Sequence, residues 1–517
     1  MKNLNKYISI FCLLTVLFGC SKDLLDKTPK DQLSPSTFYQ DEKQCLMALM
    51  GVYNAIQPNA TPTHFYQFEF MSDNGYCQAA WQGSNEVGSW STNTSSWAPN
   101  AKWTLDYAII ARANEFLQDV AAAPVSDAVK TQMGAEAKFL RAYAYSDLIT
   151  YFGDVPLILK VQTLAEAYVS RTAKSEVLTQ ILTDFTDAAS VLPVTYSGSV
   201  GRATKGAALA YKAKILLYNQ KWAEAAQAAK DVMDIPIYGY YPNYSDLFTE
   251  SHENNIEVIF DIQYTTAQTQ PWPAEPFVLG TWQTSNITAD MINSYYMKNG
   301  KPITDATSGY NDQDPFTNRD PRLNATVVLP GTKYGAATFI PASYAEYPCG
   351  AKPRKYAEYN VADVNTSTLN TILMRYADIC LMRAEALIES GSTAQEIYDL
   401  IDGVRGRVGM PTIEAVEGTG LNQSQLRAIL RHERRVEFCM EGTRYADMLR
   451  WKDVSLVHDV YGYDKSKLSD PTVPANWVFS QIKIATRTFD TTKAWLWPIP
   501  QADIDINKNL LPNNPGY

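Results

Sequence analysis

The sequence predicts a mainly α-helical body: paired helices forming a curved layer, with a large irregular subregion packed over it. Three observations predict this. Apolar and small residues recur at helical spacing over long segments, which places them on one face of each helix. The segment 203–234, ATKGAALAYKAKILLYNQKWAEAAQAAKDVMD, reads as two Ala-rich helices joined near Asn219-Gln220. Between the helical segments lie long stretches rich in aromatic, Gly, Ser, Asn and Pro residues that hold no period.

Composition agrees with a globular body. The chain has 517 residues, 46% hydrophobic and 19% charged, which excludes a disordered tail or a fibrous repeat. Its 26 Gly and 27 Pro are near ordinary usage and argue against long low-complexity linkers. The unusual fraction is aromatic, at 12%, with 11 Trp and 32 Tyr. A formal charge of −10 disfavours wrapping a phosphate backbone, so no nucleic-acid partner is expected.

The first residues read MKNLNKYISIFCLLTVLFGC. Lys2 and Lys6 precede an apolar core, Tyr7–Phe18, that is too short to span a bilayer. Residues 1–19 therefore read as a secretion signal. Leu17-Phe18-Gly19-Cys20 is similar to the lipobox of bacterial lipoproteins. Cleavage before Cys20 would expose its amine and thiol for acylation, making residues 20–35 a lipidated tether on the membrane. The alternative is an ordinary cleaved signal with an incidental Cys20. Cys45, Cys77, Cys349, Cys380 and Cys439 are odd in number, widely spaced and without a CxxC, so a zinc knuckle or dithiol centre is not expected. Cys380 and Cys439 read as small core residues; one disulfide, for instance through Cys77, stays open.

Residues 36–517 read as a single body. Its helix-pair scaffold covers about 36–63, 101–255 and 370–455; irregular regions cover about 64–100, 256–369 and 456–517. Helices are expected at 41–56, 101–121, 127–152, 174–190, 203–218, 221–234, 374–390, 394–407 and 422–440, with a short one at 443–450. Phe152-Gly153-Asp154-Val155-Pro156 stops the third of these, because Gly permits the turn and Pro prevents continuation. Residues 64–100 read as a long surface excursion with a short strand at Phe65–Phe70, and Ile256–Phe260 as another strand. The 203–234 hairpin resembles a tetratricopeptide unit, and a looser second hairpin starts at Tyr376-Ala377. Such pairs stack into a curved layer.

Several ordered blocks carry a wider resemblance. Trp103, Tyr107, Ile110, Arg112, Ala113 and Asn114 open the first; Glu136–Tyr143 and Tyr151–Leu157 form the second. Gly201–Ala208 and Asn318-Arg319-Asp320-Pro321-Arg322-Leu323 follow. Then come Arg375–Ile379, Ala384-Glu385-Ala386, Glu433–Phe438, Glu441–Asp447, Arg450-Trp451, Pro498-Ile499-Pro500 and Asn514-Pro515-Gly516-Tyr517. From Cys20 to Tyr517 the chain resembles the SusD/RagB family of Bacteroidetes outer-membrane lipoproteins. The resemblance implies a surface-exposed nutrient-binding lipoprotein, anchored in the outer membrane by lipid. It also implies tetratricopeptide-like helix pairs, an irregular ligand-bearing half, and a SusC-like TonB-dependent transporter as partner. Many members bind oligosaccharides; some bind peptides or other nutrients.

The residues of those blocks need not touch a ligand. Glu136, Arg141, Glu433, Arg434, Arg435, Glu437, Glu441 and Arg444 lie in helices among apolar neighbours and read as buried ion pairs of the scaffold. No feature selects a glycosidase carboxylate pair from 55 acidic residues, so no hydrolase activity and no catalytic residue is expected. The four His form no metal motif, and neither GxSxG nor a Walker loop occurs. No cofactor is expected. Asp305, Asp312 and Asp314 leave a structural calcium open, although EF-hand spacing is absent.

Sugar recognition needs flat ring faces with side-chain amides and carboxylates around them, and no proton transfer. Residues 64–100 offer Tyr76, Trp81, Trp90 and Trp97 beside Asp73, Asn74, Gln82, Asn85 and Asn93. The irregular half adds Trp272, Trp282, Tyr295, Tyr296 and Tyr310. The competing reading is that each ring anchors its loop inward. The expected function is capture of an oligosaccharide and its delivery to the transporter. A peptide-binding member of the same system and a transporter lid without ligand affinity are the alternatives.

Overall fold

A computed structural model of the chain describes residues 38–58, 60–270, 284–343, 347–357, 367–468, 477–493 and 495–517. Residues 1–35, with Cys20, and the aromatic candidates Trp272 and Trp282 lie outside the described residues.

The fold is mainly helical. Its long helices are α1 (Glu42–Asn54), α2 (Trp97–Ala122), α3 (Asp127–Tyr151), α4 (Lys174–Val191) and α5 (Lys205–Tyr218). They continue with α6 (Trp222–Met233), α7 (Tyr376–Glu389), α8 (Gln395–Arg407), α9 (Gln423–Glu437) and α10 (Arg444–Trp451). Local chemistry starts and stops them. The Asp41, Ser126 and Thr204 side chains accept the N–H of Gln44, Val129 and Ala207 at the starts of α1, α3 and α5. Asn422 and Gln425 form a reciprocal capping box on α9. Gly153, at φ +76°, lets the chain leave α3.

Each helix packs on the next in one continuous layer: α2 on α3, α3 on α4, α4 on α5, α5 on α6, and then, across a long insertion, α6 on α7. Small residues permit the close approach in α5 and α6. Ala207, Ala208, Ala210 and Ala213 are buried, as are Ala225, Ala226 and Ala229. Arg383 of α7 donates to the Ala226 carbonyl at 2.7 Å and locks the junction. α7 then packs against α8 and α9 around a separate core of Leu381, Ile397, Ile401, Leu426 and Leu430.

The irregular half carries ten short strands among the described residues, paired antiparallel two by two. β1 (Gly75–Cys77) pairs with β3 (Ser285–Ile287), and β2 (Val258–Ile262) with β8 (Thr371–Arg375). β4 (Val327–Val328) pairs with β7 (Lys352–Pro353), β5 (Lys333–Tyr334) with β6 (Ala337–Thr338), and β9 (Val460–Tyr463) with β10 (Gln481–Ala485). An aromatic-rich core of Tyr66, Phe70, Phe248, Tyr295 and Trp477 fills this half. β8 runs directly into α7, so α7 begins at Tyr376 and not at the expected 374.

Two expectations change. Phe65–Phe70 is not a strand: Gln67–Phe70 is a helical turn with all four side chains buried, so the alternation a half-buried strand needs is missing. Residues 64–100 are not a surface excursion either. They fold into short helices and β1 and bury Asp73, Asn74 and Trp90. Asp73 and Asn74 have arginine partners and Trp90 has aromatic ones, which removes their reason to stay in water.

A buried ionic lattice joins the halves. Arg322 binds Asp320 at 2.7 Å, Glu433 at 2.5 Å and Glu437 at 2.9 Å. Arg375 binds Glu257, Glu437 and Glu441, each at 2.7 Å. Arg407 reaches Glu257 at 2.8 Å and also Glu437. A second group links Arg434 to Asp378 at 2.7 Å and Arg450 to Glu385 at 2.5 Å. Burial works to raise the Glu437 carboxyl, yet Arg407, Arg375 and Arg322 hold it well below the ordinary carboxylate range. All five described cysteines are buried and free, which closes the disulfide alternative among them.

Candidate functional site

The early irregular segment is pinned from behind. Asp73 takes a bidentate pair from Arg444, Nε and Nη2 each at 2.8 Å, and lies 3.1 Å from Arg435. Burial works to raise the Asp73 carboxyl, and these two guanidiniums hold it well below the ordinary range. Arg435 also donates to Asn74 Oδ1 at 2.7 Å and to Asp290 at 2.5 Å. Arg487, fully buried, donates to the carbonyls of Phe70 at 3.1 Å, Gly75 at 2.9 Å and Ser72. β1 then pairs with β3, Tyr76 opposite Asn286, which joins this segment to the second irregular region.

In front of this frame stand two tryptophans. Trp81 is 42% exposed and Trp97 41%. Gly83, two residues after Trp81, lies under the Trp97 ring: it has φ +76°, and a Cβ there would sit 3.2 Å from that ring. A glycine is required because the turn is left-handed and the indole covers it. Gln82 is buried, accepting from Gln67 Nε2 at 3.1 Å and donating to Thr284 at 2.6 Å. Glu86 accepts from Ser96 at 2.7 Å and Asn93 at 3.3 Å, tying the start of α2 to the helical turn Ser84–Gly88. Two large apolar rings are thus held partly in water by a rigid polar frame.

The other candidates are placed differently. Tyr76 and Asn85 are half-buried beside that frame. Asp73 and Asn74 are buried behind it, engaged with Arg444 and Arg435. Trp90 is buried on Phe489 and Trp495, with ring centroids 4.7 and 5.1 Å away. Tyr296 is half-buried and stacks on His432 of α9 at 3.8 Å, planes 17° apart. Burial, with Arg322 and Arg405 nearby, pushes the His432 pKa well below its usual value, so the ring stacks neutral. Tyr295 is fully buried.

The three acids singled out for calcium serve their own loop. Asp305 accepts from Thr307, Asp314 from Thr317, and Asp312 from Gln313. Among the described residues, the grouping that could coordinate an ion is Asp73, Asp290 and His458, whose ligand atoms lie within 4.8 Å of one another. Arg435 already bridges Asp73 and Asp290 with its guanidinium, so a cation would have to displace it.

Sequence reasoning missed one feature. A cavity of about 470 Å³ opens where α3, α4, α5 and α10 end or begin, lined by Trp495, Lys174 and Lys452 among others. Its residues come from distant segments with no shared motif, so no sequence signal marks it.

Comparison with known proteins agrees with this architecture. The profile described as "SusD family" matches residues 250–517, and one described as "Starch-binding associating with outer membrane" matches residues 23–217. SusD-like protein P2 of Formosa agariphila is 26% identical over 99% of this chain and 100% of its own. The crystal structure of a SusD-like carbohydrate binding protein from Bacteroides fragilis superposes with a TM-score of 0.82 at 30% identity, covering 92% of this chain and all of that one. A laminarin binding SusD-like protein shares the fold, with a TM-score of 0.67 at 24% identity over 93% of this chain and 100% of its own. With one family profile over more than half of its length and a 30%-identical structure over nearly all of it, this chain belongs to the SusD family.

Proposed function

We propose that the protein captures a glycan at the cell surface and passes it to a SusC-like TonB-dependent transporter. The observation that carries the reading is the Trp81–Trp97 pair, large rings held partly in water on a frame that fixes them. A ring face offers a flat apolar surface to the C–H face of a sugar, and the surrounding amides bond its hydroxyls. Nothing in this chemistry breaks a bond: Asp73 and Asp290 behind the frame are held by arginines, and Glu86 within it accepts from Ser96 and Asn93. The carbohydrate-binding relative and the laminarin-binding structure support the sugar assignment. Trp272 and Trp282, outside the described residues, stay candidate ligand residues, as do Tyr76, Asn85 and Tyr296.

Anchoring by acylated Cys20 is part of the proposal; no described helix is long and apolar enough to cross a membrane. Support for a protein partner comes from an exposed apolar strip. Leu164 is 90% exposed and Ile506 73%, with Tyr168 and Leu511 also exposed. Asn507 and Asn509 bond the Val169 and Tyr168 carbonyls and hold the two segments side by side.

Calorimetry of the mature chain against a glycan panel tests the function. Binding of a glycan that weakens in Trp81→Ala and Trp97→Ala is the expected result. Peptide binding with no glycan binding across a diverse panel would replace the sugar by a peptide.

A further inference from the structure

The cavity at the helix ends has a composition of its own. Its volume is about 470 Å³, room for a sugar residue or two, and it lies among the ends of α3, α5 and α10 and the start of α4. Lys174 and Lys452 line it, and neither ammonium has a carboxylate or hydrogen-bond partner among the described residues. Asp154, the one acid lining it among the described residues, has its Oδ1 bound to the backbone N–H of Lys174. Arg450 also lines the wall, but Glu385 and Asp447 neutralise it. With Lys174 and Lys452 against the single Asp154, the net charge of the cavity wall is positive. Burial and then the charge of Lys452 lower the Lys174 pKa, against a smaller opposing pull from Asp154, so the two ammonium groups are close enough to repel.

The other wall is aromatic. Trp495 rests on Phe489, with ring centroids 4.3 Å apart, and on Trp90, and its remaining surface lines the cavity. The backbone is left-handed at Trp495 (φ +59°), Gln220 (φ +60°) and Lys452 (φ +53°), all three lining the cavity. Gln220 and Lys452 are the left-handed ends of α5 and α10, so these two helix ends turn at the cavity rim.

We propose that this cavity is a second ligand site, for an anionic sugar whose ring lies against Trp495 and whose carboxylate or sulfate sits between Lys174 and Lys452. The sugar ring rests on the glycan reading above; the anion recognition does not. The site would let the protein hold an acidic substituent or branch while the Trp81–Trp97 face holds neutral residues.

Calorimetry of the mature chain in detergent tests this with trigalacturonate, a sulfated galactose disaccharide, neutral laminaritriose and inorganic sulfate. The expected result is that one of the two acidic sugars binds, identifying carboxylate or sulfate as the group. Its affinity falls at least tenfold in the Lys174→Ala/Lys452→Ala double variant and as NaCl rises, and is unchanged in Trp81→Ala/Trp97→Ala. Lys174 is half-buried at the start of α4 and Lys452 exposed just past α10, and an unchanged melting temperature excludes a folding defect. The proposal is overturned if neither acidic sugar binds more tightly than laminaritriose. It is overturned equally if the lysine changes leave affinity intact, or if inorganic sulfate binds as tightly as the sulfated disaccharide. Lysine-dependent binding of trigalacturonate with no glycan lost in Trp81→Ala/Trp97→Ala would keep this site and remove the other.

Discussion

Trp81 and Trp90 belong to one short polar segment, yet one faces water and the other is buried on Phe489 and Trp495. The two substitutions should separate accordingly. Trp81→Ala or Trp97→Ala is expected to cost about 1–2 kcal/mol of glycan binding, roughly a tenfold loss in affinity, with little change in melting temperature. Trp90→Ala is expected to cost roughly 3–5 kcal/mol of stability by urea unfolding, because it opens a cavity in an aromatic cluster. Charges follow the same logic. Arg375→Ala leaves Glu257, Glu437 and Glu441 buried without their shared cation and should cost roughly 3–5 kcal/mol. That Glu437 and its neighbours Glu433, Arg434 and Arg435 are scaffold is legible in the sequence, since they sit in a helix among apolar neighbours; that Arg375 and Glu257 join them is not. Which tryptophan faces outward is not, because Gly, Ser and Asn around each ring fit either orientation.

Among elements, the turn from α9 into α10 ties the helical layer to the early irregular segment. Gly442 there has φ +69°, and a Cβ would meet the Phe65 carbonyl oxygen at 2.2 Å. Gly442→Ala should therefore lower the melting temperature by several degrees, and glycan affinity with it, since Arg444 two residues on holds Asp73 behind the Trp81–Trp97 frame. Helix positions were legible: periodicity and caps are local, and α3 to α6 begin and end close to where the pattern places them. The paired strands were mostly not. β1 finds its partner β3 across more than 200 residues, and no local pattern records such a pairing. Residues 64–100 look like a loop for the same reason, their order coming from Arg435, Arg444 and Arg487 far along the chain.

At the scale of the molecule, the ionic lattice sets the acid limit. Glu437, Glu441, Glu385, Asp447 and Asp73 are each buried, which opposes their charge, and each is held below the ordinary carboxylate range by adjacent cations. A depressed pKa adds stability that is full above the unfolded value of about 4 and is lost as pH falls from there through the folded value. The melting temperature should drop steeply as pH falls below about 4, where these carboxylates must be protonated; an acid-insensitive melt would contradict the lattice. The apolar strip makes a second prediction. Leu164→Asp with Tyr168→Asp should reduce co-purification with the proposed SusC-like transporter while leaving glycan binding and melting temperature unchanged, because both side chains already face water.

The sequence by itself determined the mainly helical fold, the family and the scaffold role of the buried charges. Periodicity, capping residues and ordered motifs are written locally along the chain. Only the tertiary structure decided which rings meet water, that residues 64–100 are a packed part of the body, and that Lys174, Lys452 and Trp495 share one cavity. Exposure and convergence depend on partners hundreds of residues apart, and a one-dimensional pattern carries no distance between them.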